Sequence, residues 1–232
     1  WFKDHVLQPT GHSRYKHDVP IPANHKLKVS FWNTTGMLEA GKIHTIHRIM
    51  QKQHIDIMIL TETHLKEPDN MQIKGYQLYH SADTIRDNKG KPKQMFTGIS
   101  IIIAPSIAPS LIDLRPLHGR LLTATFNTAL APLKIIAASA PHNERYYDVR
   151  KKFWDQVTEE VNNAPNSTDL LLVGDFNAQI HEQTIADDNI TGPHALQPTH
   201  ACKCKRTEKN QTTQNSCTNF ATASSFASHR RG

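Results

Sequence analysis

A succession of short apolar runs limits this chain more than any other feature. "LKVSFWN" (27–33), "IDIMILTETHL" (55–65), "TGISIIIA" (97–104), "RLLTATFN" (120–127), "LKIIAASAP" (133–141) and "LLLVGDFNAQI" (170–180) are rich in branched residues and bounded by polar or turn residues. Each is strand-sized, and no run reaches the eighteen or so apolar residues that a membrane helix needs. In "LKVSFWN" Leu27, Val29, Phe31 and Asn33 alternate onto one face. That places Phe31 and Trp32 in a core strand rather than on a base-stacking surface.

Two segments between the runs change period. In "GKIHTIHRIMQKQH" Ile43, Ile46, Ile49 and Met50 recur at threes and fours, predicting a short amphipathic helix. From Glu144 to Asn163 a second helix is predicted, with Val149, Phe153, Val157 and Val161 spaced at fours as its inward stripe. Strand, first helix and second strand make a crossover unit, whose right-handed connection sets the two strands parallel. "GYQLYHSAD" reads as one further strand, and "TALAP" as the turn of a hairpin. The expected architecture is an α/β sandwich, with sheets inside and helices outside.

The organisation expected from pattern is a tail or linker over 1–26, one domain over 27–180, and an irregular, degenerate or truncated segment over 181–232. Trp1 in place of Met suggests a chain cut from something longer. No apolar signal core opens the sequence, which argues against secretion and for an intracellular location. Cys202, Cys204 and Cys217 are odd in number and fit a reducing compartment. With His200 they also form a candidate zinc set, although their one-residue gap departs from structural zinc spacing. Lys plus Arg number 27 against 21 Asp plus Glu, a formal charge of +6 with 15 His in reserve. A polyanion is the favoured partner, nucleic acid before an anionic membrane surface. Lys89, Lys91 and Lys93 in one loop, and the "KCKR" run from Lys203, are basic stretches suited to phosphates. Nothing in the pattern singles out a stable protein partner or an oligomeric state.

Asn33, Glu62, Asp175 and Asn177 all fall at the carboxyl ends of predicted strands. In α/β sheets ligands gather there, so these side chains are expected to meet in one cleft. Two carboxylates and two amides suit a hard cation, Mg²⁺ first with Mn²⁺ as the alternative, together with a phosphate oxygen. The plainer reading is that Gly-Asp-Phe-Asn is a turn and Glu62 a solvated loop residue. Recurrence at separate strand ends favours a site.

"FWNTTG", "ILTETHL", "TGISIII", "SAPHNE" and "LLLVGDFNAQI", in that order, resemble the endonuclease/exonuclease/phosphatase superfamily, and within it the endonuclease domain of non-LTR, LINE-type retrotransposons. The resemblance covers about Leu27 to Ile180. It implies a four-layer α-β-β-α sandwich with two mixed sheets, incomplete at the carboxyl end, and metal-assisted hydrolysis of DNA phosphodiesters in the nucleus. Carried over, Asn33 and Glu62 hold the metal, Asp175 prepares the water and Asn177 holds the phosphate. "TGPHALQ" resembles a Gly-Pro-His stretch of the same domains, making His194 a substrate contact; Arg120 and Ser139 are further candidates. Ser139-Ala140-Pro141 stands where the family has Tyr-x-Pro, and a serine lacks the tyrosine's reach. No Ser-Asp-His occurs; Ser228-His229 is only a faint echo. Weak or lost cleavage is therefore expected, with a non-catalytic nucleic-acid-binding remnant, or a phosphatase branch, as the alternatives.

Overall fold

A computed structural model describes residues 19–37, 39–83, 86–91, 97–142 and 145–177. The elements run β1 (Val29–Asn33), α1 (Lys42–Gln53), β2 (Ile57–Thr61), β3 (Asp69–Ile73), β4 (Tyr76–Ser81), β5 (Ile99–Ile103), a 3₁₀ turn (Ala108–Ser110), β6 (Leu111–His118), β7 (Leu121–Phe126), β8 (Leu133–Ser139), α2 (Tyr147–Asn162) and β9 (Asp169–Asp175). They fall into two compact units, Trp1–Ser139 with Leu171–Asp175, and Ala140–Leu170 with Phe176–Gly232. The segment 27–180 contributes to both.

In the first unit one sheet has the order β1-β2-β5-β4-β3 and the other β6-β7-β8-β9. β1 and β2 are parallel, as the crossover rule requires, whereas β5 joins β2 and β4 antiparallel. Inward faces of both sheets share a core of Ile57, Ile59, Ile99, Ile101, Leu122, Phe126 and Ile135, among others. Burying each of these side chains contributes about 1.5–3 kcal/mol. The opposite face of the first sheet packs Met58, Leu60, Leu78 and Ile102 against Ile46 and Met50 of α1. Helix, sheet and sheet thus form successive layers of an α/β sandwich.

Several expectations are corrected. β3 and β6, both edge strands, escape the pattern because they are polar, unlike the edges β1 and β9. Edges tolerate polar residues and proline, and "DNMQI" and "LIDLRPLH", with Pro116, carry them. Phe31 is 39% exposed rather than core, because β1 is also an edge; Trp32 packs on the α1 side. Ile21, inside the stretch read as a tail, is buried and pairs with Thr128.

In the second unit α2 buries Arg150, Phe153, Trp154, Val157 and Glu160. Its inward stripe is therefore rotated from the expected one, and Val149 is 47% exposed. Phe153 and Trp154 meet edge to face, and Trp154 lies 6.1 Å from the Phe176 ring.

Candidate functional site

β1 and β9 are terminal strands of their respective sheets, and their last residues meet. Asn33 Nδ2 donates to Asp175 Oδ2 at 3.2 Å, across 142 positions of sequence. The same amide is held from its other side, since Asn33 Oδ1 accepts the Thr35 N–H at 3.1 Å. Just before Asp175, Gly174 turns its Cα toward the backbone of β8. A Cβ on Gly174 would stand 1.7 Å from the Ala138 carbonyl oxygen, so no other residue fits there.

Glu62 follows β2 directly. Its φ is +50°, a left-handed conformation that costs a residue bearing a Cβ about 1–3 kcal/mol. The surroundings impose it. Glu62 carbonyl oxygen accepts the Gly36 N–H at 2.6 Å, the Thr63 carbonyl accepts the Met37 N–H, and the Thr63 N–H donates to the Gly98 carbonyl. Thr35 and His64, at φ +49° and +57°, share the strain.

Below Glu62 lies a buried polar cluster. His80 Nδ1 sits 2.8 Å from Ser100 Oγ and 3.5 Å from the hydroxyl of Thr63, which is completely buried. Burial pushes the His80 pKa down to about 4, outweighing the hydrogen bonds that favour its charged form, so the ring is neutral at physiological pH. Gly98, at φ +114°, permits the close approach: a Cβ there would come 2.3 Å from Thr63 Oγ1.

Arg120 and Ser139 belong to the same end of the second sheet. The Ser139 N–H donates to the Arg120 carbonyl at 2.9 Å, and the Arg120 guanidinium donates back to the Ser139 carbonyl at 3.3 Å. Ser139 itself is buried, at 6% exposure. In the second unit Asn177 has φ +45° and donates from Nδ2 to the Ala140 carbonyl at 2.7 Å. His194, the cysteine and His200 set, Lys93, Lys203 and Ser228-His229 lie outside the described residues.

Glu62, Asp175 and the Asn33 carbonyl are all hard oxygen donors, the ligand chemistry of a small divalent cation. Among the described residues no group of three or more His, Cys, Asp or Glu converges as a metal centre. No described helix is long and apolar enough to cross a membrane. The sequence pointed to Asn33, Glu62 and Asp175, but not to the His80, Ser100 and Thr63 cluster, because His80 and Ser100 lie within strands, and Thr63 just after one, whose facing partners the pattern does not reveal.

The chain resembles known proteins in sequence and in fold. The chain is 27% identical over 154 residues to the probable RNA-directed DNA polymerase from transposon X-element of Drosophila melanogaster, and 24% identical to the RNA-directed DNA polymerase from mobile element jockey of Drosophila funebris. Each alignment covers 66% of this chain and 15% of the relative, so the chain spans about 15% of the length of these curated relatives. An AP endonuclease from Archaeoglobus fulgidus has the same fold, with a TM-score of 0.50 at 14% identity, over 84% of this chain and 71% of that one. The model of the Endonuclease/Exonuclease/phosphatase family matches residues 30–231, and the chain belongs to that family.

Proposed function

We propose that the chain is a nuclease module that hydrolyses DNA phosphodiesters with a divalent cation, Mg²⁺ or Mn²⁺. Glu62 and Asn33 would hold the ion, Asp175 would orient the attacking water and take up its proton, and Asn177, two residues on, would steady a phosphate oxygen. The observation that carries the reading is the Asn33 to Asp175 hydrogen bond, which joins an amide and an acid 142 positions apart in sequence. The strained backbone of Glu62 adds support, since such strain collects at functional sites. The ion supplies charge neutralisation at the phosphate and a lower pKa for the attacking water. Asn33, engaged through both its oxygen and its nitrogen, would keep Asp175 aimed through the reaction. The half-buried Arg120, tied to the Ser139 carbonyl, offers the phosphate a cation where the serine hydroxyl is too short and too buried to help.

Absence of Ser-Asp-His from the sequence favours slow turnover, because a missing general acid or base lowers rates by about a hundred- to ten-thousandfold. The same feature supports a second reading, nucleic-acid binding without cleavage. Supercoiled plasmid nicking separates them. Nicking with Mg²⁺ that disappears in EDTA and in Glu62→Ala is the expected result. Salt-sensitive binding with no nicking under any metal would leave only the binding role, and hydrolysis of small phosphoesters instead of plasmid would point to the phosphatase branch.

A further inference from the structure

One stretch of the second unit has no part in this chemistry. Between Ala140 and the first turn of α2, the described residues His142 and Arg145 to Val149 are all exposed. Tyr146 is 84% exposed, Tyr147 49% and Val149 47%. Isolated apolar residues on a surface are ordinary. Two neighbouring aromatic rings and a valine, all displayed at the start of one helix, are less so, because a ring in water forgoes the burial from which aromatic side chains gain most.

The rings stand on a firm base. Tyr146 is the extended residue that opens α2, and its carbonyl accepts the N–H groups of Val149 and Arg150 at 3.1 and 3.3 Å. Arg150 is only 2% exposed, so the first helical turn is anchored while the tyrosines project from it. Their neighbours are cationic. Arg145 is exposed immediately before them, and Lys151 and Lys152 are exposed one turn later. Asp155 ties up Lys151 at 2.7 Å, and Asp148 is the acid of the first turn, which leaves Arg145 and Lys152 as cations paired with no acid among the described residues.

Cations interleaved with exposed aromatic rings suit a polyanion that also presents flat π-faces. Single-stranded nucleic acid has both; a duplex keeps its base faces stacked away. The chain's net charge of +6 has the matching sign. Asn177 belongs to the same unit, held to Ala140 at 2.7 Å, and the adjacent Phe176 faces Trp154, about 10 Å along α2 from Tyr147.

We propose that Tyr146 and Tyr147 form a stacking surface for unpaired bases, with Arg145 and Lys152 drawing the neighbouring phosphates. This inference rests on the nucleic-acid part of the proposed function and not on cleavage. Binding of the full chain to a fluorescent oligothymidine and to a duplex of equal length, both in EDTA, tests it. Tyr146→Ala and Tyr147→Ala are each expected to weaken single-strand binding about tenfold and to leave duplex binding nearly unchanged, while Tyr146→Phe binds as the parent does. Thermal unfolding of each variant guards against misfolding, and the phenylalanine variant decides if an alanine variant is damaged. The proposal is overturned if the alanine variants bind the single strand like the parent, as they would were the tyrosines a protein-docking surface. Equal losses on single strand and duplex, or a phenylalanine variant as weak as alanine, overturn it too. A chain that binds as expected but never nicks plasmid removes the cleavage reading and keeps this one; nicking without any tyrosine effect does the reverse.

Discussion

Both ends of the parallel pair β1 and β2 carry polar residues, and they differ in what those residues do. At the amino end Asp56 accepts from the Lys28 N–H at 2.9 Å and lies 3.1 Å from His25 Nε2, while the Lys28 ammonium donates to the Gln53 carbonyl at 2.7 Å. A cleft of about 410 Å³ opens there, lined by His25, Lys28, Asp56 and Tyr76 among others. Its charges answer one another, and the Lys28 ammonium sits where the carboxyl end of α1 favours a cation. The left-handed His54 at that end is the ordinary cap of a helix. At the carboxyl end, by contrast, Thr35, Glu62 and His64 are left-handed with no helix to cap, and the Glu62 carboxylate lies within a partly exposed rim. A cavity and a set of charges do not by themselves mark a site. Polar groups held in a conformation they would not choose are the better sign.

The largest expected effect lies at Glu62. Glu62→Gly relieves the left-handed backbone and removes the carboxylate together, so nicking should fall by on the order of a hundred- to a thousandfold while stability in urea rises by about 1 kcal/mol. A variant that lost activity and stability together would mean that Glu62 is merely structural, and the contrast between the two ends would collapse.

Next comes His80, which supports the Thr63 side of the Glu62 turn. Its folded pKa of about 4 lies below the ordinary 6.5, so the unfolded chain takes up the proton first as pH falls. The stabilisation is complete above pH 6.5 and is lost progressively down to about pH 4, by about 3 kcal/mol in all. Urea midpoints across that window should fall more steeply for the parent than for His80→Gln; parallel slopes would show that the ring is not buried as described.

The smallest effect belongs to the amino end. Asp56→Asn weakens the bonds to His25 and the Lys28 N–H, at about 1–2 kcal/mol, and should leave nicking unchanged. Loss of nicking in a variant that still melts cooperatively would give the amino-end cleft a share in the chemistry.

How far these features could be read from the chain follows from what sets them. β1, β2, β5, β7, β8 and β9 announce themselves through apolar runs, because strands covered on a face must be apolar. β3 and β6 do not: they carry the polar residues and the proline that an edge position tolerates, whereas the other two edges, β1 and β9, keep apolar runs. The α2 stripe was misplaced by valine spacing: Arg150 and Glu160 are buried and Val149 is not, which no hydrophobic periodicity reports. Asn33 and Asp175 were legible as polar residues ending strands, and the structure brings them together. The left-handed Glu62 was not, because its φ is imposed by hydrogen bonds to the turn after β1 and to Gly98, contacts remote in sequence.

Asn33 carries one consequence further. A primary amide can flip end for end with little change in shape, but here the flip would turn its NH₂ toward the Thr35 N–H and its oxygen toward the Asp175 carboxylate, two repulsions in place of two bonds. The group is thus locked in one sense of rotation. Of its two donor and two acceptor positions, one of each is engaged among the described residues. What remains at the rim is one N–H and one lone pair on a neutral side chain, so the same residue can face a cation or an anionic oxygen without adding a charge of its own.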